Sequence, residues 1–133
     1  MRLLPLLTPE NAPFWTGGAQ GKLLITCCSD CSAAIHPPAL ICPTCLSRNV
    51  VPRAAGGTGM IYSYTINHQP WLPDMVVPFA LAIVDVDGMP GVRITCEVID
   101  APLDEVKIGS RVSFTFLPVE DVWVPQVRLS GAA

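Results

Sequence analysis

From about residue 60 onward, apolar side chains recur at every second position or in short runs, which is the periodicity of strands rather than helices. Met60 to Asn67 sets Ile61, Ser63 and Thr65 against Tyr62, Tyr64 and Ile66. Phe79 to Val86 reads as one apolar run, the pattern expected of a strand buried on both faces. Asp87-Gly88 then signals a turn, and Gly91 to Ile99 resumes alternation with Val92, Ile94, Cys96 and Val98 on one side. Arg111 to Leu117 puts Val112, Phe114 and Phe116 on one face. Val122 to Leu129 closes the series, interrupted by Pro125, whose missing N–H predicts an edge or a bulge. Five such strands without a long helix predict a small closed or partly open barrel, with the OB-fold as its expected form.

The first third of the chain lacks this rhythm. Thr8-Pro9-Glu10 combines a hydroxyl N-cap, proline at the first helical position and an acid in the first turn, so a short helix is predicted to about Trp15, ending at Gly17-Gly18. Its aromatics, Phe14 and Trp15, need a surface to cover, either the chain's own core or a partner. Lys22 to Cys27 reads as a short strand. A glycine-rich joint, Ala54 to Gly59, reads as a hinge and sets a boundary near Pro52. The expected organisation is mainly β: an N-terminal helical segment (1–21), a module (22–52) whose two Cys-x-x-Cys motifs, Cys28/Cys31 and Cys42/Cys45, make it a zinc ribbon, and a five-stranded OB-fold barrel (53–133). The 14 prolines favour this loop-rich, mostly β reading.

Composition narrows the function. Half of the 133 residues are apolar and 14% are charged, so a core can form without disulfides. No run of about 18 apolar residues suggests a membrane span. Arg2 before Leu3 to Leu7 resembles a leader, but the stretch is short, Pro5 interrupts it and no Ala-x-Ala site follows, so a cytoplasmic chain is expected. A net charge of −3 gives no basic stripe with which to neutralise phosphates.

Five of the six cysteines lie between residues 27 and 45. Two Cys-x-x-Cys knuckles, Cys28-Ser-Asp-Cys31 and Cys42-Pro-Thr-Cys45, are separated by ten residues. Two intervening residues let a tight turn aim both sulfurs at one point while backbone N–H groups donate to the thiolates, and two such turns complete a tetrahedral site. One structural Zn2+ on Cys28, Cys31, Cys42 and Cys45 is therefore expected, on a linker short for the pattern. The competing readings are two disulfides, which a reducing compartment disfavours, and a redox motif, which should open a helix in a βαβ unit. Cys27 is a spare that could replace Cys28. His36 lies between the knuckles but is surplus to a closed shell, and Cys96 reads as a small core residue. Four sulfurs leave no position for water or substrate, so such a zinc would contribute folding energy rather than Lewis-acid chemistry.

No independent active site is evident: there is no Gly-x-Ser-x-Gly elbow, phosphate-cradling Gly-x-x-x-x-Gly-Lys or His-Glu-x-x-His. The carboxylates Asp85, Asp87, Asp100, Asp104, Glu105, Glu120 and Asp121 fall at turns. The segment from Asn67 to Pro73, with His68 and Trp71, is a candidate contact loop, and Trp123 is a second candidate; either tryptophan could instead plug the barrel. Single-stranded nucleic-acid binding would need stacking aromatics such as Tyr62 and Tyr64 beside a basic groove. A phosphate-bearing ligand bound by this chain alone would need basic partners, from Arg48, Arg53, Arg93 and Arg111.

An ordered set of short motifs spans nearly the whole chain: Asn11-x-x-Phe14-Trp15, Gly21-Lys22-Leu23, Cys28-x-x-Cys31 with His36-Pro37-Pro38, Cys42-Pro43-x-Cys45, Gly57-x-Gly59-x-Ile61-Tyr62-Ser63 and Ile108-Gly109-x-x-Val112. In this the chain resembles a family of zinc-ribbon and OB-fold accessory proteins of acyl-CoA metabolism, long called a domain of unknown function, whose ribbon is rubredoxin-like. It departs at Ser32 and Leu46, where the family commonly has glycine after the second and fourth cysteines. The resemblance implies a non-catalytic accessory subunit that binds and stabilises a thiolase-like enzyme (a thiolase, synthase or retro-aldolase) acting on acyl-CoA thioesters, including in steroid side-chain degradation. The CoA thioester would then be met through the partner, with neither nucleic acid nor membrane involved; the alternative is an autonomous acyl-CoA-binding protein that sets those arginines against the CoA phosphates.

Overall fold

The computed structural model describes residues 4–130. Arg2 and Leu3, weighed above as part of a leader, lie outside them. Two β-structures follow one another along the chain. In the first, β1 (Leu24–Cys28) runs antiparallel between β2 (Ala34–Ile35) and β3 (Val50–Ala54). In the second, β4 (Thr58–Asn67), β5 (Phe79–Val86), β6 (Arg93–Val98), β7 (Arg111–Val119) and β8 (Val122–Leu129) close a barrel in the order β4-β5-β6-β8-β7. Its single parallel pairing is between β6 and β8, which is the connectivity of an OB-fold. Among the described residues, no helix is long and apolar enough to cross a membrane.

Strand alternation fills the barrel. Ala80, Ala82, Val84 and Val86 from β5 and Ile94, Cys96 and Val98 from β6 point inward and are buried, with Ile61, Val112 and Val127. Burying each valine or isoleucine side chain contributes about 1.5–3 kcal/mol, an upper bound against an extended unfolded chain. Phe14, Leu23 and Ile25 belong to this same core, so the N-terminal helix and the base of the ribbon are packed onto the barrel. The ribbon tip has a separate small cluster of Cys28, Ile35 and Cys42.

The structure corrects several local expectations. Thr8-Pro9-Glu10 form a turn, and the helix α1 is only Ala12–Thr16. The Thr8 N–H donates to Asn11 Oδ1 at 2.7 Å and the Asn11 N–H reaches Thr8 Oγ1 at 3.4 Å. Asn11 thereby offers the backbone a local alternative to the helical turn. A 3-10 turn, Gly17–Gln20, follows. A Cβ on Gly18 would sit 2.6 Å from Trp123 Cβ and 2.7 Å from Phe116 Cγ, so this turn packs flat on the barrel only with glycine.

β5 is not buried on both faces: Leu81 and Ile83 are each 36% exposed on the outside, alternating with the buried set. A bulge between Ile61 and Ser63 breaks the alternation predicted for β4, so Ile61 and Ile66 both reach the core. β8 is inside the barrel rather than at an edge, but its pairing with β6 begins only at Gln126, directly after Pro125. The glycine-rich joint is no hinge. Phe114 N–H donates to the Gly57 carbonyl at 2.8 Å, Asp87 N–H to Thr58 at 3.0 Å, and a Cβ on Gly59 would press on the Asp85 carbonyl. This seam is fastened further by Asp87, which accepts from Thr58 Oγ1 at 2.7 Å and pairs with Arg111. Arg111, followed by Thr58, holds the Asp87 carboxyl below its usual range. β2 and β3 carry no strand pattern of their own and are set by their pairing with β1.

Candidate metal centre and adjoining surfaces

The two knuckles fold as near copies. Cys28 N–H donates to Ala33 O at 2.9 Å, and Cys42 N–H donates to Ser47 O at 2.8 Å. Ser32 N–H returns to Cys28 O at 3.0 Å, and Leu46 N–H to Cys42 O at 2.8 Å. Closing each turn so tightly requires a left-handed residue after the second cysteine of each pair, and Ser32 (φ 65°) and Leu46 (φ 63°) adopt it. Ser32 and Leu46 thus hold a conformation that glycine adopts without strain, which is the physical reason to expect glycine at these two positions. Asp30 ties one knuckle to the other, accepting from the Ser47 hydroxyl and from Asn49 Nδ2 at 3.1 Å. Those two donors, Ser47 first, hold its carboxyl below the usual range.

The Sγ atoms of Cys28, Cys31, Cys42 and Cys45 all lie within 4.8 Å of one another. Across the site, Cys28 to Cys45 and Cys31 to Cys42 are both 3.6 Å. A disulfide would be about 2.05 Å, whereas zinc at about 2.3 Å from each sulfur spaces them about 3.8 Å apart. The donor set therefore fits one tetrahedral zinc and no disulfide, and all six cysteines are free of disulfides. Backbone donors favour the thiolate at Cys28 and Cys42, whereas Cys31 and Cys45 are raised. The Cys31 N–H donates to Cys28 Sγ at 3.5 Å and lowers that thiol's pKa. The Cys45 N–H, opposed by burial and aided by the Thr44 N–H, is the main cause holding Cys42 at about 6. At Cys45 the Ser47 N–H lowers the pKa, but Cys28, burial and the other two sulfurs outweigh it and push the thiol up to about 12. Four mutually repelling sulfurs of this kind are neutralised together by a dication. The chain carries a structural zinc, and it supplies folding energy to a ribbon tip that otherwise has few apolar contacts.

His36 is outside the sulfur cluster. Its ring packs on Phe14 at 5.0 Å between centroids, its Nδ1 has no hydrogen-bond partner, and burial lowers its pKa. Cys27 faces away from the metal position, its Sγ 3.6 Å from Ile25 O and 3.9 Å from Met89 Sδ. Cys96 is buried in the barrel, and burial pushes its thiol up to about 12.

The aromatic candidates are placed differently from one another. Phe14 is buried, with Trp15 against it edge-on at 5.0 Å. Trp123 is half-buried beneath the 3-10 turn. His68 and Trp71 are exposed on the long loop between β4 and β5; Trp71 is 72% exposed, its indole N–H donating to Asn67 Oδ1 at 3.1 Å, so it does not plug the barrel. Arg93 pairs with Asp85 at 2.8 Å and lies 3.8 Å over the Tyr62 ring, and Arg111 pairs with Asp87. Two of the four arginines considered for CoA phosphates are thus already engaged by carboxylates.

A zinc ribbon followed by a closed five-stranded OB barrel defines the class. The family described as the ChsH2 rubredoxin-like zinc ribbon domain matches residues 15–51, and the ChsH2 C-terminal OB-fold domain matches residues 52–117. The chain belongs to this family of ChsH2-type, or DUF35, zinc-ribbon and OB-fold proteins.

Among its relatives, a probable enoyl-CoA hydratase alpha subunit of Thermomonospora curvata is 30% identical over 90% of this chain and 37% of its own length. A DUF35 domain-containing scaffold protein of Methanothermobacter thermautotrophicus is 29% identical over 71% of each chain. A 3-oxo-4,17-pregnadiene-20-carboxyl-CoA hydratase alpha subunit of Mycobacterium tuberculosis is 30% identical over 91% of this chain and 39% of its own. The chain thus spans well under half of the two hydratase subunits. In three dimensions it is similar to a chain of an Ltp2-ChsH2(DUF35) aldolase, with a TM-score of 0.85 and 29% identity over 96% of this chain and 99% of that one.

Proposed function

We propose that Cys28, Cys31, Cys42 and Cys45 hold the zinc, and that the chain is a non-catalytic accessory subunit of a thiolase-like enzyme acting on acyl-CoA thioesters. The observation that carries this reading is the end-to-end likeness to the DUF35 chain of an aldolase, covering 96% of one chain and 99% of the other. The name scaffold protein, borne by a relative of comparable length, points the same way. So does chemistry: a closed four-sulfur shell has no open coordination position, so the partner would carry the reaction. The CoA thioester would be bound in the partner's site, in lipid or steroid side-chain metabolism, and free thiols beside a zinc site suit a reducing cytoplasm.

A second reading has its own support. The two hydratase alpha subunits, 30% identical to this chain, match it over 37% and 39% of their own length, so the same fold would serve a dehydrating or hydrating enzyme. Reconstitution separates the two. The chain is co-expressed with a thiolase-like partner and, separately, with a hydratase-type partner, and thiolysis, retro-aldol cleavage and hydration are assayed with and without it. Thiolase-type activity or solubility that depends on this chain supports the first reading. Dependence only in the hydratase arm would replace it.

A further inference from the structure

The four sulfur-bearing residues of the metal centre are not equivalent. Cys28 and Cys42, the first cysteines of the two knuckles, are fully buried, whereas Cys31 and Cys45 are exposed. Their neighbours in the chain, Asp30, Ser32, Thr44 and Leu46, are exposed as well, so each outer cysteine stands on an open turn. Each exposed cysteine has a buried one close by, and in both cases the neighbour belongs to the other knuckle. Cys31 Sγ lies 3.6 Å from Cys42 Sγ, and Cys45 Sγ lies 3.6 Å from Cys28 Sγ.

This arrangement divides an oxidation between the two kinds of cysteine. Thiolates are oxidised first where an oxidant can reach them. With hydrogen peroxide as the oxidant, the outer sulfur attacks one peroxide oxygen, the O–O bond breaks, and a sulfenic acid and a hydroxide result. The buried thiolate then attacks that sulfur, the S–S bond forms, and the oxygen leaves as a second hydroxide. Two thiolates have lost two electrons, which the peroxide has accepted. Closing each 3.6 Å gap to a bond of about 2.05 Å takes a movement of about 1.5 Å. A disulfide sulfur is no longer a thiolate and no longer holds the metal. Cys27 and Cys96 are buried elsewhere, Cys27 against Ile25 and Met89 and Cys96 in the barrel, so neither competes as the resolving thiol.

We propose that Cys31 and Cys45 are the hydroperoxide-reactive thiols of this chain, and that oxidation there converts the zinc centre into two crossed disulfides, Cys31–Cys42 and Cys28–Cys45, with loss of the metal. The proposal rests on the four-sulfur zinc assignment and is independent of the accessory-subunit reading. Thiol–disulfide exchange with a dithiol reverses it. The effect is confined to the ribbon tip, whose own cluster is only Cys28, Ile35 and Cys42 with a few partly buried neighbours, while Leu23 and Ile25 stay in the barrel core.

The test titrates the reduced, zinc-loaded full-length chain with hydrogen peroxide and follows zinc release with a chromogenic chelator. Mass spectrometry maps sulfenic acids trapped as dimedone adducts, and disulfide-linked peptides from the untrapped sample. Cleavage before Asp30 separates Cys28 from Cys31, and fragmentation of the linked peptides assigns each bond. The expected result is loss of one zinc and four thiols for every two peroxides consumed. Early adducts should fall on Cys31 and Cys45, and the links should be Cys31–Cys42 and Cys28–Cys45. A dithiol with added zinc should restore the starting protein, and Cys27→Ser should behave as the wild type. Links within the knuckles, Cys28–Cys31 and Cys42–Cys45, overturn the proposal. So do first adducts on Cys27, Cys28, Cys42 or Cys96, and zinc retained in excess peroxide. A reduced chain that binds no zinc overturns the four-sulfur assignment itself.

Discussion

Ser32→Gly should make this protein more stable, and the reason can be worked from one torsion angle. Ser32 holds φ at 65° so that its N–H can return to Cys28 O at 3.0 Å. A left-handed conformation costs an L-residue about 1–2 kcal/mol, and glycine escapes that cost. Glycine loses more freedom on folding, about 0.5–1 kcal/mol. Ser32 is exposed and its side chain buries little, so the net gain is about 0.7 kcal/mol. With a urea slope of about 1.5 kcal/mol/M, the midpoint should rise by about 0.5 M at fixed free zinc. Ser32→Ala keeps a Cβ and should leave the midpoint near the wild type. Leu46→Gly shares the torsion argument at φ 63°, but Leu46 is 75% exposed and loses the rest of its apolar cover, so a smaller gain is expected. If glycine proved no better than alanine at position 32, the strain argument for the knuckles would be wrong.

Further outcomes are expected elsewhere. Cys42→Ser should release zinc and melt the ribbon tip, read by metal analysis and circular dichroism; retained stoichiometric zinc would contradict the four-sulfur shell. Gly59→Ala places a methyl group against the Asp85 carbonyl and should cost about 1–3 kcal/mol, seen as a lower melting temperature. The lowered pKa of His36 means that the unfolded chain takes up its proton first as pH falls. Its contribution is fully present above the ordinary value of about 6.5 and is lost as pH falls through the lower folded value; His36→Phe should flatten that part of the stability–pH curve. Trp71→Ala should weaken partner binding without moving the melting temperature, because the ring is exposed; a lower melting temperature with unchanged affinity would assign it a structural role.

The legible parts of this molecule are those where one local pattern decides. Cys-x-x-Cys spacing brought four sulfurs to within 4.8 Å because a knuckle is a local turn. β5 and β8 kept the bounds that their apolar runs predicted. What stayed hidden depended on distant partners. β3 is identified only by its pairing with β1. The bulge in β4 shifts register by one residue, which no alternation can signal from within a strand already polar at Ser63 and Thr65. Gly59 resembled part of a hinge because its closeness to Asp85 is a tertiary fact. The pairing of Glu97 with Gln126 is likewise invisible in sequence, since the residues are far apart in the chain and meet only through the parallel pairing of β6 and β8.

The measurement that bears most directly on the account is native mass spectrometry of the chain co-expressed with a thiolase-like partner, alongside thiolysis and retro-aldol assays of the same sample. The account predicts a hetero-oligomer holding one zinc for each 14.2 kDa chain, with thiolase-type activity lost or unstable when the partner is prepared alone. A chain that stays monomeric beside a fully active partner, or that turns over an acyl-CoA by itself, would contradict it.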